Sequence, residues 1–155
     1  MFTATAHGQS ARGLARPADF WRDYYMAADQ SLPRMKLAEL SGHGDHTIRR
    51  RVAENRNTPH FVQYFLAADP SVDVRHALAL NTAAPRAVLN ALTKDPSAVV
   101  RLAAATNSAL PLPLLIDLAD DQHPYVAKRA RRAAQRILER RTTRTAEATR
   151  LRQTQ

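Results

Sequence analysis

Apolar and polar positions follow one another along this chain in a pattern that repeats every 26 residues. The same kinds of side chain return at each step of that length, with no insertion between the units. The clearest columns are Pro33/Pro59/Pro85/Pro111, Leu40/Leu66/Leu92/Leu118, Ile48/Val74/Val100/Val126 and Asn55/Asn81/Asn107. A fixed period of about 20 to 50 residues is the signature of a repeat protein, so the pattern predicts four similar structural units.

Each unit is predicted to contain two short helices. A proline is expected at the first position of the first helix, where its missing N–H costs no hydrogen bond. Apolar residues four apart, such as Val62 and Leu66, share one face of that helix. Asp69 precedes Pro70 and ends the helix, because a residue before proline disfavours helical backbone. The second helix carries Leu78 on its apolar face, and an asparagine in the left-handed conformation is expected to end it.

Helices of about ten residues are marginal alone in water, so each unit must bury its apolar face against its neighbours. The predicted fold class is therefore all-α, a superhelical solenoid closed by a basic C-terminal capping helix. The expected organisation is a flexible leader at 1–18, a solenoid domain at 19–141 and a basic polar tail at 142–155. The four units are expected near 33–58, 59–84, 85–110 and 111–136.

The best copy of the repeat runs from Val74 to Pro96. It has the form Val-Arg-x-x-x-Ala-x-Asn-x-x-x-Pro-x-x-x-Leu-x-x-Leu-x-x-Asp-Pro. Over about 33–136 the chain resembles the leucine-rich repeat variant family. That resemblance implies a right-handed superhelix of alternating α- and 3₁₀-helices, similar in style to HEAT repeats, and non-catalytic binding. One member of the family has a cysteine-rich iron–sulfur segment, a feature that cannot be carried over to this cysteine-free sequence.

Positive charge is concentrated near the C-terminal end of the sequence. The formal net charge is +9, and residues 126–155 contribute +8 of it through ten bases and two acids. Within 124–141, an apolar stripe with helical spacing leaves the basic residues on the other faces. These bases are predicted to contact a nucleic-acid backbone without reading its sequence. They are Lys128, Arg129, Arg131, Arg132, Arg136, Arg140 and Arg141.

Other interpretations of the basic helix stay open. A capping helix needs a polar outer face for solubility, which would explain the charge without any ligand. An acidic protein or an anionic membrane would be attracted by the same field. Membrane binding is the weakest of these interpretations, because the apolar stripe is largely alanine. An enzyme with a repeat fold that acts on nucleic acid is a third alternative, although no catalytic acid can be assigned to it. Base stacking on Phe20, Trp21, Tyr24 and Tyr25 is conceivable, but a hydrophobic cap on the first unit is the favoured interpretation.

An arginine column and an aspartate column run through the repeat. The arginines suit phosphate binding, but pairing with the aspartates is favoured because a half-buried arginine requires an acidic partner. The predicted structural ladder comprises Arg49, Arg75, Arg101, Asp69, Asp95 and Asp121. It is expected to be imperfect at its ends, where His43 takes the aspartate position and Ala127 takes the arginine position.

The third unit carries apolar residues at columns that are polar in other units. If exposed, these residues would form a protein contact surface. The alternative function is therefore a protein–protein adaptor that uses either the concave face of the solenoid or this apolar patch. The C-terminal helix covering them is the other interpretation. They are Leu102, Leu112 and Ile116.

Several kinds of chemistry find no support in the sequence. The absence of cysteine excludes disulfides and Cys-ligated zinc, and favours the reducing cytoplasm. No phosphate loop, nucleophile elbow or zinc-protease motif is present, so we expect no catalysis and no cofactor. His43, Asp45 and His46 lack a clear further ligand and are predicted to form a turn rather than a metal site. No apolar run approaches the ~18 residues that span a bilayer.

Overall fold

The structure is a computed structural model that describes the backbone of residues 17–153 and the side chains of residues 18–144. Over that part it contains nine α-helices and no strands, and neighbouring helices pack together. The predicted all-α class is confirmed. No helix within the described residues combines the length and the apolar character needed to span a membrane.

The helices alternate between a short and a longer type. The short helices have seven residues each and are α2 (Arg34–Leu40), α4 (His60–Leu66), α6 (Arg86–Leu92) and α8 (Leu112–Leu118). The longer ones have nine residues each and are α3 (His46–Glu54), α5 (Val72–Leu80) and α7 (Ala98–Thr106). These helices lie between α1 (Pro17–Ala28) and α9 (Pro124–Gln153). The helix starts keep the 26-residue spacing read from the sequence.

Two predicted boundaries do not coincide with the ends of helices. Residues 1–16 of the predicted leader lie outside the described part of the chain, and its last two residues belong to α1. The boundary predicted at 141 falls inside α9, which is a single helix of 30 residues that continues to Gln153. The segment predicted as a polar tail is therefore helical over its described part.

The longer helices pack side by side in one layer. Helix α3 packs against α5, α5 against α7 and α7 against α9, while α1 covers the free side of α3. Each short helix packs against the longer helix that follows it, and one continuous apolar cluster fills the space between them. Ala53, Ala79 and Ala105 are almost fully buried in this cluster. Such small side chains let the backbones of neighbouring helices approach closely.

The proline of each unit precedes the first helix rather than occupying its first position. Pro59 is the N-cap of α4, with φ −56° and ψ 145°, and its carbonyl accepts the first helical hydrogen bond, from Gln63 N at 3.1 Å. The proline is therefore the N-cap, one residue before the first helical position at which it was predicted. The same arrangement recurs at Pro33, Pro85 and Pro111.

The asparagines that end α3, α5 and α7 are extended, not left-handed, so that expectation is wrong. Asn81 has φ −69° and ψ 112°, and no described residue has a positive φ. Its Oδ1 accepts the backbone N–H of Ala83 at 2.9 Å. Its Nδ2 donates to Ala53 O at 2.9 Å and Asn55 O at 3.1 Å, in the preceding helix and its cap. These bonds across units fix the extended conformation.

The same bonds recur at every step and form an asparagine ladder, made of Asn55, Asn81 and Asn107. Asn55 Nδ2 donates to Ala27 O and Asp29 O, at 3.0 and 2.8 Å. Asn107 Nδ2 donates to Ala79 O and Asn81 O, at 2.8 and 3.1 Å. Each carboxamide NH₂ therefore bridges two carbonyl groups of the unit before it, which joins successive helices of the layer through buried hydrogen bonds.

Candidate nucleic-acid interface

The arginines of the repeat pair with aspartates of the following unit. Arg75 Nε lies 2.7 Å from Asp95 Oδ2, and its Nη2 lies 3.1 Å from Oδ1. Its third nitrogen, Nη1, donates to Asp69 O at 2.8 Å, within its own unit. The same fork joins Arg49 to Asp69 and Arg101 to Asp121. These guanidinium groups are occupied and neutralised, so they do not form a row of free phosphate ligands.

Two carboxylates of this ladder, Asp69 and Asp121, have a lowered pKa and are held in their charged form. Hydrogen bonding from Arg101, followed by the backbone N–H of His123, lowers the pKa of Asp121 although burial opposes it. At Asp69 burial is the largest single influence and would raise the pKa. The hydrogen bonds from Arg49 and the backbone N–H of Ser71 together outweigh burial, so the net pKa is lowered.

The predicted basic residues lie on different sides of α9. Val126, Ala130 and Ala134 are buried and attach the helix to α7 and α8. One flank of α9 carries arginines at spacings of three, four and four residues, which share a face of a helix. The first of them is partly buried and the other three are exposed. We call this set the arginine stripe; it consists of Arg129, Arg132, Arg136 and Arg140.

Lys128, Arg131 and Arg141 are also exposed but lie off this stripe. Arg131 Nη2 is 3.8 Å from Asp120 Oδ1, and both side chains are largely exposed, which makes that pair weak. The sequence therefore predicted seven basic contacts, and the structure places four of them in one line.

Members of the arginine stripe face few carboxylates. Among side chains 18–144, none forms an ion pair with Arg129, Arg132, Arg136 or Arg140. Arg129 Nε instead donates to Thr106 Oγ1 at 3.2 Å, across to the end of α7. Glu139 is the acid nearest in sequence, and its Oε1 accepts a hydrogen bond from Gln135 at 2.8 Å. The stripe thus keeps a positive field, unlike the arginines of the ladder.

A cleft of about 260 Å³ opens beside the stripe, between α9 and the end of α7. Arg129, Arg136 and Arg140 lie along its α9 side. The opposite wall is formed by the end of α7 and the turn that follows it, and Leu115 of α8 contributes an apolar surface. The remaining lining residues are Ala105, Thr106, Asn107, Ser108, Leu110, Ala133 and Ile137. The sequence did not single out this cleft.

Leu102, Leu112 and Ile116 do not form an exposed apolar patch. Leu102 and Leu112 are half-buried and pack against the core, whereas Ile116 on α8 is 55% exposed. A group of four exposed apolar side chains lies instead on the short helices of the first two units. They are Met35 on α2 with Phe61, Tyr64 and Phe65 on α4, and we call them the α2–α4 apolar surface.

The N-terminal aromatic residues are divided between packing and exposure. Phe20 and Tyr24 pack against the core, and the guanidinium of Arg51 lies over the Tyr24 ring at 4.4 Å from its centroid. Trp21 and Tyr25 are more than half exposed and stack on each other with ring centroids 5.9 Å apart.

In the turn predicted at His43 to His46, Asp45 caps α3 by accepting a hydrogen bond from Thr47 N at 2.8 Å.

Comparison of the chain with protein-family models, with curated proteins and with solved structures gives no match.

Proposed function

We propose that this chain is a non-catalytic repeat module that binds the phosphate backbone of nucleic acid through the arginine stripe of α9. In this proposal the helix pairs form a right-handed solenoid of four units, like the leucine-rich repeat variant family that the sequence resembles. Helix α9 closes the last unit and projects beyond it. The remaining bases, Lys128, Arg131 and Arg141, add to the field without lining the binding surface.

The observation that carries the proposal is the contrast between two sets of arginines. Arg49, Arg75 and Arg101 each hold an aspartate in a two-bond fork. The arginine stripe has no such partners among side chains 18–144, and its members lie along one flank of α9, where three of the four are exposed. Surface charge that is left without a partner retains its attraction for a polyanion. A purely structural capping helix would be served equally well by a mixture of acids and bases.

The dimensions of the stripe also suit a nucleic-acid strand. At 1.5 Å per residue, the eleven-residue step from Arg129 to Arg140 spans about 16 Å. Phosphates along one strand of a duplex advance by about 3.4 Å each, so the stripe reaches several of them. Contacts of this kind set the position of a protein on nucleic acid without reading bases. Affinity should therefore depend strongly on salt and weakly on sequence.

A salt titration tests the proposal. About four phosphate contacts predict a slope of log K against log[salt] near −3.6 on duplex DNA. Replacing Arg132, Arg136 and Arg140 together by glutamine should reduce the magnitude of that slope by about 2.7. The matched control replaces three exposed arginines elsewhere, Arg34, Arg56 and Arg86, and removes the same charge. No binding at ~50 mM salt, or equal weakening by both triple variants, would overturn the proposal.

One observation favours a second candidate function, a protein–protein adaptor. Met35 and Phe61 occupy the same column of adjacent units and are 75% and 62% exposed, and Phe65 beside them is 65% exposed. Aromatic residues and methionine are enriched at the centres of protein interfaces. Under this alternative, Phe61→Glu with Phe65→Glu should abolish capture of the partner protein, whereas the triple glutamine variant of α9 should not.

A further inference from the structure

The asparagine ladder stops one unit before α9. Each of its three steps places a carboxamide NH₂ against a pair of carbonyl groups, such as Ala79 O and Asn81 O, which Asn107 bridges. The next pair in the series is Ala105 O and Asn107 O. The residue that would bridge them is number 133, and it is alanine. A methyl group cannot donate a hydrogen bond.

The carbonyl pair at this end has fewer donors than its equivalents. Asn81 O accepts hydrogen bonds from Ala84 N and from the next ladder asparagine, both at 3.1 Å. Asn107 O accepts from Leu110 N at 3.1 Å, and no other described group donates to it. Within the described part of the chain, nothing donates to Ala105 O. Because Ala105 is 1% exposed, its carbonyl is a buried acceptor whose hydrogen-bonding capacity is unused.

The residues that carry this carbonyl pair line the cleft beside the arginine stripe. Ala105, Asn107 and Ala133 all line it, opposite the side chains of Arg136 and Arg140. The cleft exists because α9 continues through position 133, where α3, α5 and α7 each end at an asparagine. In those units the chain turns away, whereas α9 extends past the turn and forms a second wall.

The cleft therefore combines two hydrogen-bond acceptors with several cationic groups. We propose that it binds an unpaired nucleobase that carries an exocyclic amino group, and that the arginines hold the phosphate of the same nucleotide. The amino group of cytosine or adenine presents two N–H donors, as the asparagine carboxamide does, and the two carbonyls accept them. Thymine and uracil lack that group. This inference rests on the proposed function, since the arginine stripe supplies the phosphate contacts.

The size of the cleft and its chemistry favour a base over a larger ligand. Pockets for whole small molecules usually exceed about 300 Å³, so about 260 Å³ suits a base with its ribose and phosphate at the rim. Ala133 and Ile137, which are partly exposed, supply apolar surface for the ring. The amino groups of paired bases are engaged by the opposite strand, so the ligand is single-stranded or has an unpaired end. Asn or Gln side chains of a peptide also carry an NH₂ group but bring no phosphate to the arginines.

Two homopolymers test the inference. Decamers of deoxycytidine and thymidine have the same phosphates and both contain pyrimidines, but thymine has a carbonyl oxygen where cytosine has the amino group. Two additional buried hydrogen bonds should make the cytosine decamer bind about tenfold more tightly in fluorescence anisotropy at fixed salt. Equal affinities would overturn the base proposal and leave the phosphate proposal standing. Failure of both decamers to bind would contradict the proposed function itself.

A single substitution supplies the decisive comparison. Ala133→Asn restores the missing ladder residue. The ladder asparagines have φ between −72° and −67°, which is a helical value, so a side chain on α9 at position 133 leaves the backbone in the same direction. The new carboxamide should occupy the carbonyl pair, and the cytosine-to-thymine affinity ratio should fall from about ten to about one. Ala87→Asn, on the exposed side of α6, is the matched control and should keep the ratio.

A measurement on the unmodified protein keeps the test independent of folding of the variant. Cytidine monophosphate should shift the backbone amide signals of Ser108, Ala109 and Leu110 in nuclear magnetic resonance spectra, and uridine monophosphate should shift them less. Equal shifts, or a cytosine preference that survives Ala133→Asn, would sink the assignment. An Asn-Asp peptide should compete with cytidine monophosphate only weakly. If the peptide binds the cleft more tightly than the nucleotide does, the cleft binds protein and the base proposal is wrong.

Discussion

Asp23 and His43 occupy the positions of a first pair of the arginine–aspartate ladder, with acid and base exchanged. Asp23 lies 26 residues before Arg49, and His43 lies 26 residues before Asp69. His43 Nε2 is 4.0 Å from Asp23 Oδ2, and both side chains are mostly buried. His43 Nδ1 accepts a hydrogen bond from Asp45 N at 2.9 Å. The carboxylate of Asp69 accepts the equivalent bond from Ser71 N, so the imidazole replaces the aspartate in this turn contact. At 4.0 Å its approach to Asp23 is too long for a hydrogen bond and does not reproduce the fork.

Placing an arginine at position 23 and an aspartate at position 43, as in the other pairs of the ladder, should give a more stable fold than either substitution alone. Asp23→Arg alone places a guanidinium against an imidazole, and His43→Asp alone places two carboxylates together. The double variant should recover the two-bond fork seen at Arg49. We expect a coupling energy of about 1–3 kcal/mol from a double-mutant cycle in urea unfolding. A coupling energy below about 0.3 kcal/mol would show that residues 23 and 43 do not interact as a pair of the ladder.

The Arg101–Asp121 pair should be sensitive to loss of its arginine. Its side chains are 9% and 7% exposed, so both partners are shielded from solvent. Arg101→Met leaves a buried carboxylate without its partner and should lower the free energy of unfolding by about 3 kcal/mol. Arg101→Lys keeps the charge but loses the fork, so its cost should be smaller. Arg86→Met, at an exposed position, should change stability by less than about 0.5 kcal/mol.

Stability should fall on acidification because the carboxyl pKa values of Asp69 and Asp121 are lowered in the folded state. The unfolded chain, with an aspartate pKa of about 3.9, then binds more protons than the folded chain as the pH falls. The stabilisation is fully present above about pH 4 and is lost as the pH drops through the folded-state values. Urea midpoints at pH 3, 4, 5 and 7 should show this decline. Arg101→Met should show a smaller decline, and an unchanged pH dependence would contradict the role given to Asp121.

The repeat could be predicted from sequence because its columns have simple causes. Proline, buried leucine and the acid–base columns each recur at a fixed step, and the helices begin where those columns require. The backbone at Asn81 could not be predicted in the same way. An asparagine after a helix suits a left-handed residue as well as an extended one. What decides between them is the carbonyl pair of the preceding unit, which is a contact across units rather than a local preference.

The cleft could not be predicted from the sequence for a related reason. It depends on α9 continuing past position 133 and on the wall that Thr106 and Ser108 form opposite the arginines. One signal was present in the sequence, since Ala133 interrupts the asparagine column. That interruption becomes meaningful only once the asparagines are known to donate to carbonyls. Likewise, the seven predicted bases could not be sorted into a stripe until the orientation of α9 against α7 was fixed.

The asparagine ladder should contribute more to stability than any exposed polar residue of the chain. Asn81→Ala removes the donor to Ala53 O and Asn55 O and the acceptor for Ala83 N, which leaves buried polar groups without partners. Each such group costs about 1–3 kcal/mol, so the loss should exceed about 2 kcal/mol in urea unfolding. Asn90→Ala, on α6, is the control, because no described hydrogen bond involves the Asn90 side chain. In hydrogen exchange, amides at the ends of α3 and α5 should lose protection first. If the two alanine variants are equally stable, the ladder bonds do not hold the units together.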